Sequence, residues 1–508
     1  MSADASSPEQ ASAPRQGGHL APEPPRWRRR LGAILFWSVL SAAFIGPGTV
    51  TTAAAAGAAY GHQLLWALAF STLACAILQE ASARLTTASG LDLAQALGRQ
   101  RQPGSGSSSQ GLRGAWAGIG AVLVLGAVVL GCAAYEAGNL LGATAGVSLA
   151  LPAIPPEAVA LLLTAGAALA LWGGQPKLLA RGLGGVVAVM GVAFGVVAFG
   201  LRPELGELLR GLGRPTWPAD AGLLILGLVG TTVVPYNLFL GSGLARRPAP
   251  AEATTDPNAE AITEATGEPS QGNSATLDQD LAEQRLAIAL AVGLGGIVSM
   301  TVLITGTAVA GEFSFEALAA VLEQRLGAAG RWLLALGLFA AGLSSAITAP
   351  LAAALAARGV SGPLRPAANS RWGLRGGAFR ATWLLVLLTG TLCAVSGLRP
   401  IPVILAAQAF NGLLLPVAAL FLVLTLNDRR TVPASGLNGP LANLAQGSVT
   451  AVALLLGLRQ LALAATAVGW IQPMRPDQLM QLAAALTAIL AIPVFWRATA
   501  LRRGPGAP

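Results

Sequence analysis

Twelve long apolar runs follow one another along this sequence, and most of them are long enough to cross a bilayer as a helix. Of the 508 residues, 54% are apolar and 11% are charged. Because a spanning helix needs about 20 mainly apolar residues, the runs account for most of the chain. The sequence therefore predicts an all-α polytopic membrane protein and leaves no room for a sizeable soluble domain.

The loops between the predicted spans carry their basic residues unevenly. The spans are expected at residues 33–58, 64–85, 115–145, 157–173, 182–201, 221–245, 285–311, 331–357, 380–398, 401–426, 443–467 and 478–496. The even number places both termini on one side, which holds Arg99, Arg101, Arg113, Lys177, Arg181, Arg358, Arg365, Arg371, Arg375, Arg429, Arg430, Arg497, Arg502 and Arg503. By the positive-inside rule that side is cytoplasmic. We expect an integral, multi-pass protein embedded in the lipid bilayer of a bacterial inner or plasma membrane, with both termini cytoplasmic.

The segments outside the spans predict one membrane domain with unstructured ends. We expect a disordered cytoplasmic tail at 1–32, a membrane domain at 33–498 and a second cytoplasmic tail at 499–508. Residues 246–284 combine acidic residues with Pro, Gly, Ser and Thr, so we interpret them as a disordered cytoplasmic insert. A metal-binding role for its carboxylates is the alternative, which the linker-like composition makes less favourable.

Several functional classes find no support in the residues. Cys75, Cys132 and Cys393 lie in apolar runs without CxxC or Cys/His spacing, so neither a disulfide nor a zinc site is expected. The sequence contains no nucleotide-binding or hydrolase motif, so we expect no enzyme activity and no cofactor. The net charge of +9 is explained by the loop arginines and does not indicate nucleic-acid binding.

Two of the predicted spans contain helix-breaking residues near their middle. The first reads Gly-Pro-Gly-Thr at 46–49, and the sixth runs from Gly230 through Thr231 and Thr232 to Pro235. Proline removes a backbone donor and clashes with the preceding turn, so each helix should be interrupted. Matched interruptions five spans apart are typical of inverted-repeat transporters, which bind substrate at the freed backbone groups. Two proline kinks without a ligand are the alternative, which the matched positions disfavour.

Three blocks of the sequence resemble the NRAMP family of proton-coupled divalent-metal transporters. The segments LLWALAFSTLACAILQEASARLTTASGLDLAQAL (64–97), GLFAAGLSSAITAPLAAALAARG (337–359) and VILAAQAFNGLLLPVAALFLVLTLNDRR (403–430) are similar to its second, eighth and tenth spans. The resemblance implies a LeuT-type fold, with inverted repeats of five spans at 33–201 and 221–426. Spans one and six would be discontinuous and hold the substrate, and about two extra helices would follow at 443–496.

Carried over residue by residue, the resemblance places the family's site on residues of different chemistry. The family's Asp-Pro-Gly-Asn motif falls on Gly46 to Thr49, and its Met-Pro-His motif falls on Val234 to Tyr236. Gln408 matches the family's glutamine in span ten, whereas Leu343 stands for a glutamine in span eight. Gly241 stands for a second histidine. The resemblance thus keeps both helix breaks and loses the anionic and thioether ligands.

The donors that remain are neutral. They are the hydroxyls, amides and freed carbonyls of Thr49, Thr51, Thr52, Thr231, Thr232, Tyr236, Asn237, Gln408 and Asn411. The candidate binding positions are Gly46, Thr49, Thr231, Val234, Tyr236 and Gln408. Such a set can hold a divalent cation loosely, with part of its water shell. We place a divalent metal cation of the Mn, Fe or Mg class first, because the resemblance implies it. A small polar organic solute and a sensor that does not transport are the alternatives.

Glu136 is the acidic residue that the sequence places deep within a span. By the resemblance, two acids on a proton route correspond to Glu136 and Asn139, so coupling to protons would depend on Glu136 alone. A structural partnership with Asn139 is the alternative. Near the cytoplasmic end of span two, Glu80 and Arg84 lie one turn apart and predict an ion pair.

Overall fold

The computed structural model describes residues 45–101, 111–173, 176–218, 220–245, 274–362, 370–472 and 474–503. The helices of this part, numbered in chain order, are α1 Pro47–Tyr60, α2 Leu65–Ser89, α3 Leu93–Arg101, α4 Gly111–Ala150, α5 Pro156–Gly173, α6 Pro176–Gly200, α7 Leu205–Gly213, α8 Gly222–Thr232, α9 Pro235–Ala245, α10 Ser274–Gly306, α11 Phe315–Leu326, α12 Ala329–Ser361, α13 Gly377–Val395, α14 Pro400–Thr425, α15 Pro440–Ala467 and α16 Pro476–Arg503. The short 3-10 segments Gly61–Leu64 and Ala434–Gly436 precede α2 and α15. These ranges contain no β-strand, and the all-α prediction is confirmed.

Within the described residues, 11 stretches are apolar and long enough to cross a membrane. The first, Pro47–Ser89, contains α1 and α2 joined through the 3-10 turn, so it holds the second half of predicted span one together with span two. Each of the other predicted spans coincides with one further stretch. Residues 33–44, the first half of span one, lie outside the described ranges, as does the predicted tail 1–32.

The helix that follows the predicted insert begins earlier than the sequence indicated. The prediction of an unstructured segment at 246–284 is wrong over its last residues, because α10 begins at Ser274. These residues are polar but include several helix formers, and Leu281 further along the helix is buried. Residues 246–273 lie outside the described ranges. Similarly, α16 continues to Arg503, into the predicted tail 499–508.

The helix α4 contacts several others and packs most extensively along α12. Glycines make this approach close, since a Cβ on Gly146 would meet the Ala335 carbonyl and one on Gly342 would meet the Asn139 carbonyl. The same helix packs against α13 and α14. Because lipid provides no hydrophobic drive for helices to associate, small residues that permit such contact stabilise a membrane bundle. The helix α4 therefore presents its polar residues to three neighbouring helices.

The second predicted break is present in the backbone, and at the first predicted break a helix begins at the proline. The helix α1 begins at Pro47, and Gly46 before it is extended, with φ −89° and ψ 177°. The helix α8 ends at Thr232 and α9 begins at Pro235, with two non-helical residues between them. Pro235 has no N–H to offer the carbonyl of Thr231 one turn earlier. The breaks thus leave helix ends inside the bundle, where backbone polar groups are tolerated only if they line a cavity or meet a partner.

Candidate functional site

The two breaks meet through a pair of threonine hydroxyls. Thr49, in the first turn of α1, and Thr231, in the last turn of α8, are both buried. Their Oγ1 atoms lie 2.9 Å apart, within hydrogen-bond distance. The N-terminus of α1 carries partial positive charge and the C-terminus of α8 partial negative charge. The pair therefore joins two oppositely polarised helix ends at one point inside the bundle.

The neighbouring threonines are engaged by their own helices. Thr51 donates to the Pro47 carbonyl at 2.7 Å, and Thr232 donates to the Leu228 carbonyl at 3.0 Å. Hydrogen bonds of this kind to the preceding turn ease a bend in a membrane helix. Thr52 differs, because its buried Oγ1 has no hydrogen-bond partner in the described part of the chain. Thr51 and Thr232 therefore use their hydroxyls for hydrogen bonds within their own helices. They differ in this from Thr49 and Thr231, which bridge the two breaks.

Gln408 of α14 lies between the two breaks. It is 1% exposed, and its side-chain amide covers Gly48 so closely that a Cβ there would overlap it. Its backbone carbonyl lies against Gly230 in the same way. Glycine at both positions is what permits α14 to approach. The Oε1 atom of Gln408 has no hydrogen-bond partner among the described residues, so it offers an uncommitted carbonyl oxygen at the junction.

Two residues that the sequence did not single out lie at the first break. Tyr135 of α4 and Ser345 of α12 place their hydroxyl oxygens 3.3 and 3.6 Å from where a Cβ on Gly46 would stand. Both side chains are buried, at 0% and 1% exposure. The available signal was a tyrosine in an apolar run, in a chain with only three tyrosines. The space beside Gly46 is therefore occupied by two hydroxyls from other helices.

The second break is buried throughout. Val234, Tyr236 and Asn237 are each 1% exposed. Val234 contributes only its carbonyl, which accepts a hydrogen bond from the Asn237 backbone N–H at 3.0 Å. The ring of Tyr236 packs edge-on against the ring of Tyr135, with centroids 5.4 Å apart. This contact links the second break to the hydroxyls beside the first.

Two side-chain amides near the breaks retain unused polar atoms. Asn411, three residues after Gln408, donates from Nδ2 to the Ala407 carbonyl at 3.1 Å, and its Oδ1 has no partner within the described ranges. Asn237 is also buried, and neither its Nδ2 nor its Oδ1 has a hydrogen-bond partner within the described ranges. Buried polar groups normally find hydrogen-bond partners, so such a concentration needs an explanation, and a bound polar species supplies one.

Glu136 and Asn139 form a buried pair on α4, close in sequence to Tyr135. Glu136 follows Tyr135 directly, and a helix turns by about 100° per residue, so the two side chains leave α4 in different directions. The Glu136 side chain packs against Gly390 of α13, and Asn139 Nδ2 donates to Glu136 Oε2 at 3.4 Å. Oε1 of this fully buried carboxyl has no partner among the described residues. Glu136 is therefore a buried carboxyl with one uncommitted oxygen in the described part of the chain.

The side-chain donors that surround the junction carry no formal charge. They are the hydroxyl, amide and carbonyl groups of Thr49, Tyr135, Thr231, Ser345 and Gln408. The described residues contain no group of three or more His, Cys, Asp or Glu side chains placed to hold a metal ion. A cation at this junction would be held by neutral oxygens and helix-end dipoles, and a neutral polar solute would meet both donors and acceptors.

Comparison with known families covers most of the chain. Residues 38–463 match the family profile described as Nramp, natural resistance-associated macrophage protein-like. The chain is 27% identical over 346 residues to the divalent metal cation transporter MntH of Yersinia enterocolitica, covering 66% of this chain and 75% of that protein. It is 30% identical over 212 residues to the divalent metal cation transporter MntH of Bacillus subtilis, covering 41% of this chain and 46% of that protein.

Solved structures share the architecture. A mutant of the Eremococcus coleocola manganese transporter has a TM-score of 0.66 at 19% identity, covering 95% of this chain and 97% of that one. Mhp1, a nucleobase-cation-symport-1 family transporter in a closed conformation, has a TM-score of 0.54 at 14% identity, covering 96% and 98%. At these identities the similarity shows the fold alone, and it confirms the expected LeuT-type arrangement.

Proposed function

We propose a function on the premise that this chain belongs to the natural resistance-associated macrophage protein-like family, whose profile matches residues 38–463. It is a multi-pass membrane transporter and not an enzyme. We propose that its substrate is a divalent metal cation of the Mn, Fe or Mg class, moved across the membrane by alternating access. The junction of the two broken spans is the proposed binding site.

The observation that carries this proposal is the meeting of the two breaks at Thr49 and Thr231, with the amide of Gln408, whose oxygen has no partner among the described residues, against Gly48. All-oxygen ligand sets suit hard cations, and Mg²⁺ in particular keeps several water molecules when it binds. A partly hydrated ion loses less solvation energy than a bare one, so it tolerates a site without a carboxylate. We therefore rank Mg²⁺ and Mn²⁺ before Fe²⁺.

The threonine pair also supports alternating access. In the state described here one hydroxyl of the pair donates to the other, with the oxygens 2.9 Å apart. A cation entering the junction would take up lone pairs of both oxygens and leave their protons to other acceptors, such as the Gln408 carbonyl oxygen. The half-helices α1 and α8 would then separate or rotate as the ion is bound or released.

Coupling to protons is proposed to depend on Glu136. A carboxyl group in the middle of a membrane bundle is costly unless it has a function, and one of its oxygens lacks a partner within the described ranges. Glu136→Gln keeps the shape and the hydrogen bond to Asn139 and removes the titration. We expect this variant to transport with a flattened dependence on pH. An unchanged pH profile in proteoliposomes would leave Glu136 a structural partner of Asn139.

A small polar organic solute is the second candidate, because the junction combines neutral donors and acceptors with the paired rings of Tyr135 and Tyr236. Uptake into proteoliposomes separates the two, using Mg²⁺, Mn²⁺ and a panel of amino acids as substrates. The proposal predicts saturable uptake of a divalent cation and none of the amino acids. Saturable amino-acid uptake without metal flux would contradict it, and binding without any flux would indicate a sensor.

A matched pair of variants links that flux to the site. Thr231→Val removes one hydroxyl of the bridging pair, and we expect cation uptake to fall about five- to tenfold, the usual effect of losing one buried polar partner. Thr164→Val is the control, since Thr164 and Thr391 form an equivalent hydroxyl pair, 2.9 Å apart, between α5 and α13. This control should transport like the wild type.

A further inference from the structure

One carboxylate accepts hydrogen bonds from two arginines at one end of α2. The loop charges predict that this end is cytoplasmic. Glu80 Oε1 accepts from Arg84 Nε at 3.0 Å and from Arg285 Nε, at the start of the membrane part of α10, also at 3.0 Å. The predicted pair of Glu80 and Arg84 is thus confirmed, and a second guanidinium joins it. Two positive charges and one negative charge leave this group, named the Glu80 cluster, with a net charge of +1.

The excess charge of the Glu80 cluster is located on its outer side. The Arg84 side chain is 5% exposed and directs its remaining donors to neutral acceptors, the Gly436 carbonyl at 2.8 Å and Asn438 Oδ1 at 2.7 Å. The Arg285 side chain is 56% exposed and contacts Glu80 through Nε, so within the described residues its two Nη nitrogens are left for another acceptor. Arg285 is therefore the position at which an anion would approach.

An apolar crevice adjoins this arginine. It has a volume of about 270 Å³ and lies between α2, α10 and α15. Glu80, Arg285 and Gln446 supply its polar lining, and the apolar lining is Ala76, Ile77, Ile288, Ala289, Ala442 and Ala445. These apolar walls would add no binding energy for a free inorganic anion. A hydrocarbon chain, in contrast, would be stabilised by leaving solvent or by packing closely against them.

The surroundings of the crevice indicate that it opens to lipid. Each of its three helices exposes a leucine within a turn of the lining residues: Leu73 at 61%, Leu286 at 49% and Leu441 at 82%. In a membrane bundle such outward leucines contact acyl chains. The crevice thus combines a hydrocarbon-facing mouth with an incompletely neutralised guanidinium at the predicted cytoplasmic interface.

We propose that this crevice binds one anionic phospholipid, with an acyl chain along the apolar walls and the phosphate on Arg285. Guanidinium groups hydrogen-bond phosphate oxygens through two parallel N–H donors, which the free edge of Arg285 can supply. Basic pockets between helices at the cytoplasmic face commonly recognise anionic headgroups. The lipid would tie α2, α10 and α15 together, next to the hydrogen bonds that already join Arg84 to Asn438.

Native mass spectrometry of the full-length protein, titrated with phosphatidylglycerol or phosphatidylcholine, tests the proposal. Phosphatidylglycerol should bind more tightly, and Arg285→Gln should weaken its binding roughly fivefold, the effect of one basic residue at an anionic membrane surface. Ala445→Phe should weaken it by filling the crevice without changing charge. Arg380→Gln is the matched control, because Arg380 lies over the Trp172 ring, 4.2 Å from its centroid, on a different helix.

Three results would overturn the proposal: equal affinity for the two lipids, full binding by Arg285→Gln, or binding by Ala445→Phe as tight as the wild type. Inorganic phosphate is the second probe, and displacement of the lipid by phosphate alone would show that the crevice contributes nothing. If thermal unfolding shows that Arg285→Gln is misfolded, Arg285→Lys takes its place. Lysine keeps the charge but loses the two parallel N–H donors of the guanidinium, so we expect an affinity between those of the wild type and a variant without the charge.

Discussion

At the residue scale, the missing side chain of Gly46 shapes the centre of the molecule. The hydroxyl oxygens of Tyr135 and Ser345 stand within 3.6 Å of the place that a Cβ would take. Glycine therefore does more than permit the extended backbone before Pro47, since it also accommodates two side chains from α4 and α12. The site is built by these hydroxyls together with the residues of the breaks.

This geometry makes a prediction about restoring a carboxylate. Gly46→Asp alone should lower thermal stability, because its Cβ would lie 3.3 Å from Tyr135 Oη and its charge would be buried. Gly46→Asp combined with Tyr135→Phe removes the crowding oxygen and keeps the ring contact with Tyr236. We expect the double variant to bind Mn²⁺ at least about tenfold more tightly than the wild type, as a charged ligand replaces a neutral one.

Isothermal titration of the purified proteins with MnCl₂ measures this difference. Tyr135→Phe by itself is the control and should bind Mn²⁺ about as the wild type does or more weakly. Equal affinities for the double variant and the wild type would show that the side chain at position 46 does not face the cation.

The residues also show which parts of the site a sequence can predict. Pro47 and Pro235 are informative by themselves, because the loss of a backbone donor is a local property. The pairing of Thr49 with Thr231 follows only if the two breaks meet, which the fold decides. Tyr135 and Ser345 come from other helices; a tyrosine in an apolar run is the whole local signal of the first, and Ser345 has none. Their contribution depends on the close packing of α4 and α12 around Gly46.

At the element scale, the interruption between α8 and α9 is the feature that should matter for movement. Pro235→Ala would return an N–H to the helix and allow it to bond the Thr231 carbonyl. We expect the free energy of unfolding to rise by about 1 kcal/mol, the net value of one such hydrogen bond. Transport should fall, because a continuous helix cannot rearrange around the site.

A proline inside an unbroken helix provides the control. Pro416 lies within α14, which runs without interruption from Pro400 to Thr425. Thermal unfolding and cation uptake, measured side by side for Pro235→Ala and Pro416→Ala, separate a general effect of proline from a specific one. Wild-type transport by Pro235→Ala would show that the break has no role in the cycle.

Helix boundaries could be predicted where the lipid bilayer determines them. They could not be predicted where the helix propensity of polar residues determines them. The apolar runs matched the described helices because a spanning helix must satisfy its own backbone groups and expose apolar side chains. Residues 274–284 were misjudged, since their polar composition resembles that of a disordered linker. Residues 274–284 are helical because they continue α10, whose first residues are compatible with a helix despite their polarity.

At the scale of the whole molecule, two of the polar places in the described bundle are the proposed binding sites. One is the neutral junction of the two broken spans, and the other is the Glu80 cluster with its net charge of +1. The orientation of the chain, with both termini on the arginine-rich side, stays a prediction from the loop charges. The buried carboxyl of Glu136, which packs against Gly390, is a further polar place.

The location of a bound cation tests the central claim most directly, namely that the junction of the breaks is the transport site. Crystals of the protein soaked with Mn²⁺ would give an anomalous difference peak. We predict a peak within about 5 Å of Thr49 Oγ1, Thr231 Oγ1 and Gln408 Oε1, close enough for direct contact or for contact through one water molecule. A peak confined to surface carboxylates or to the neighbourhood of Glu136, with none at the junction, would contradict the account.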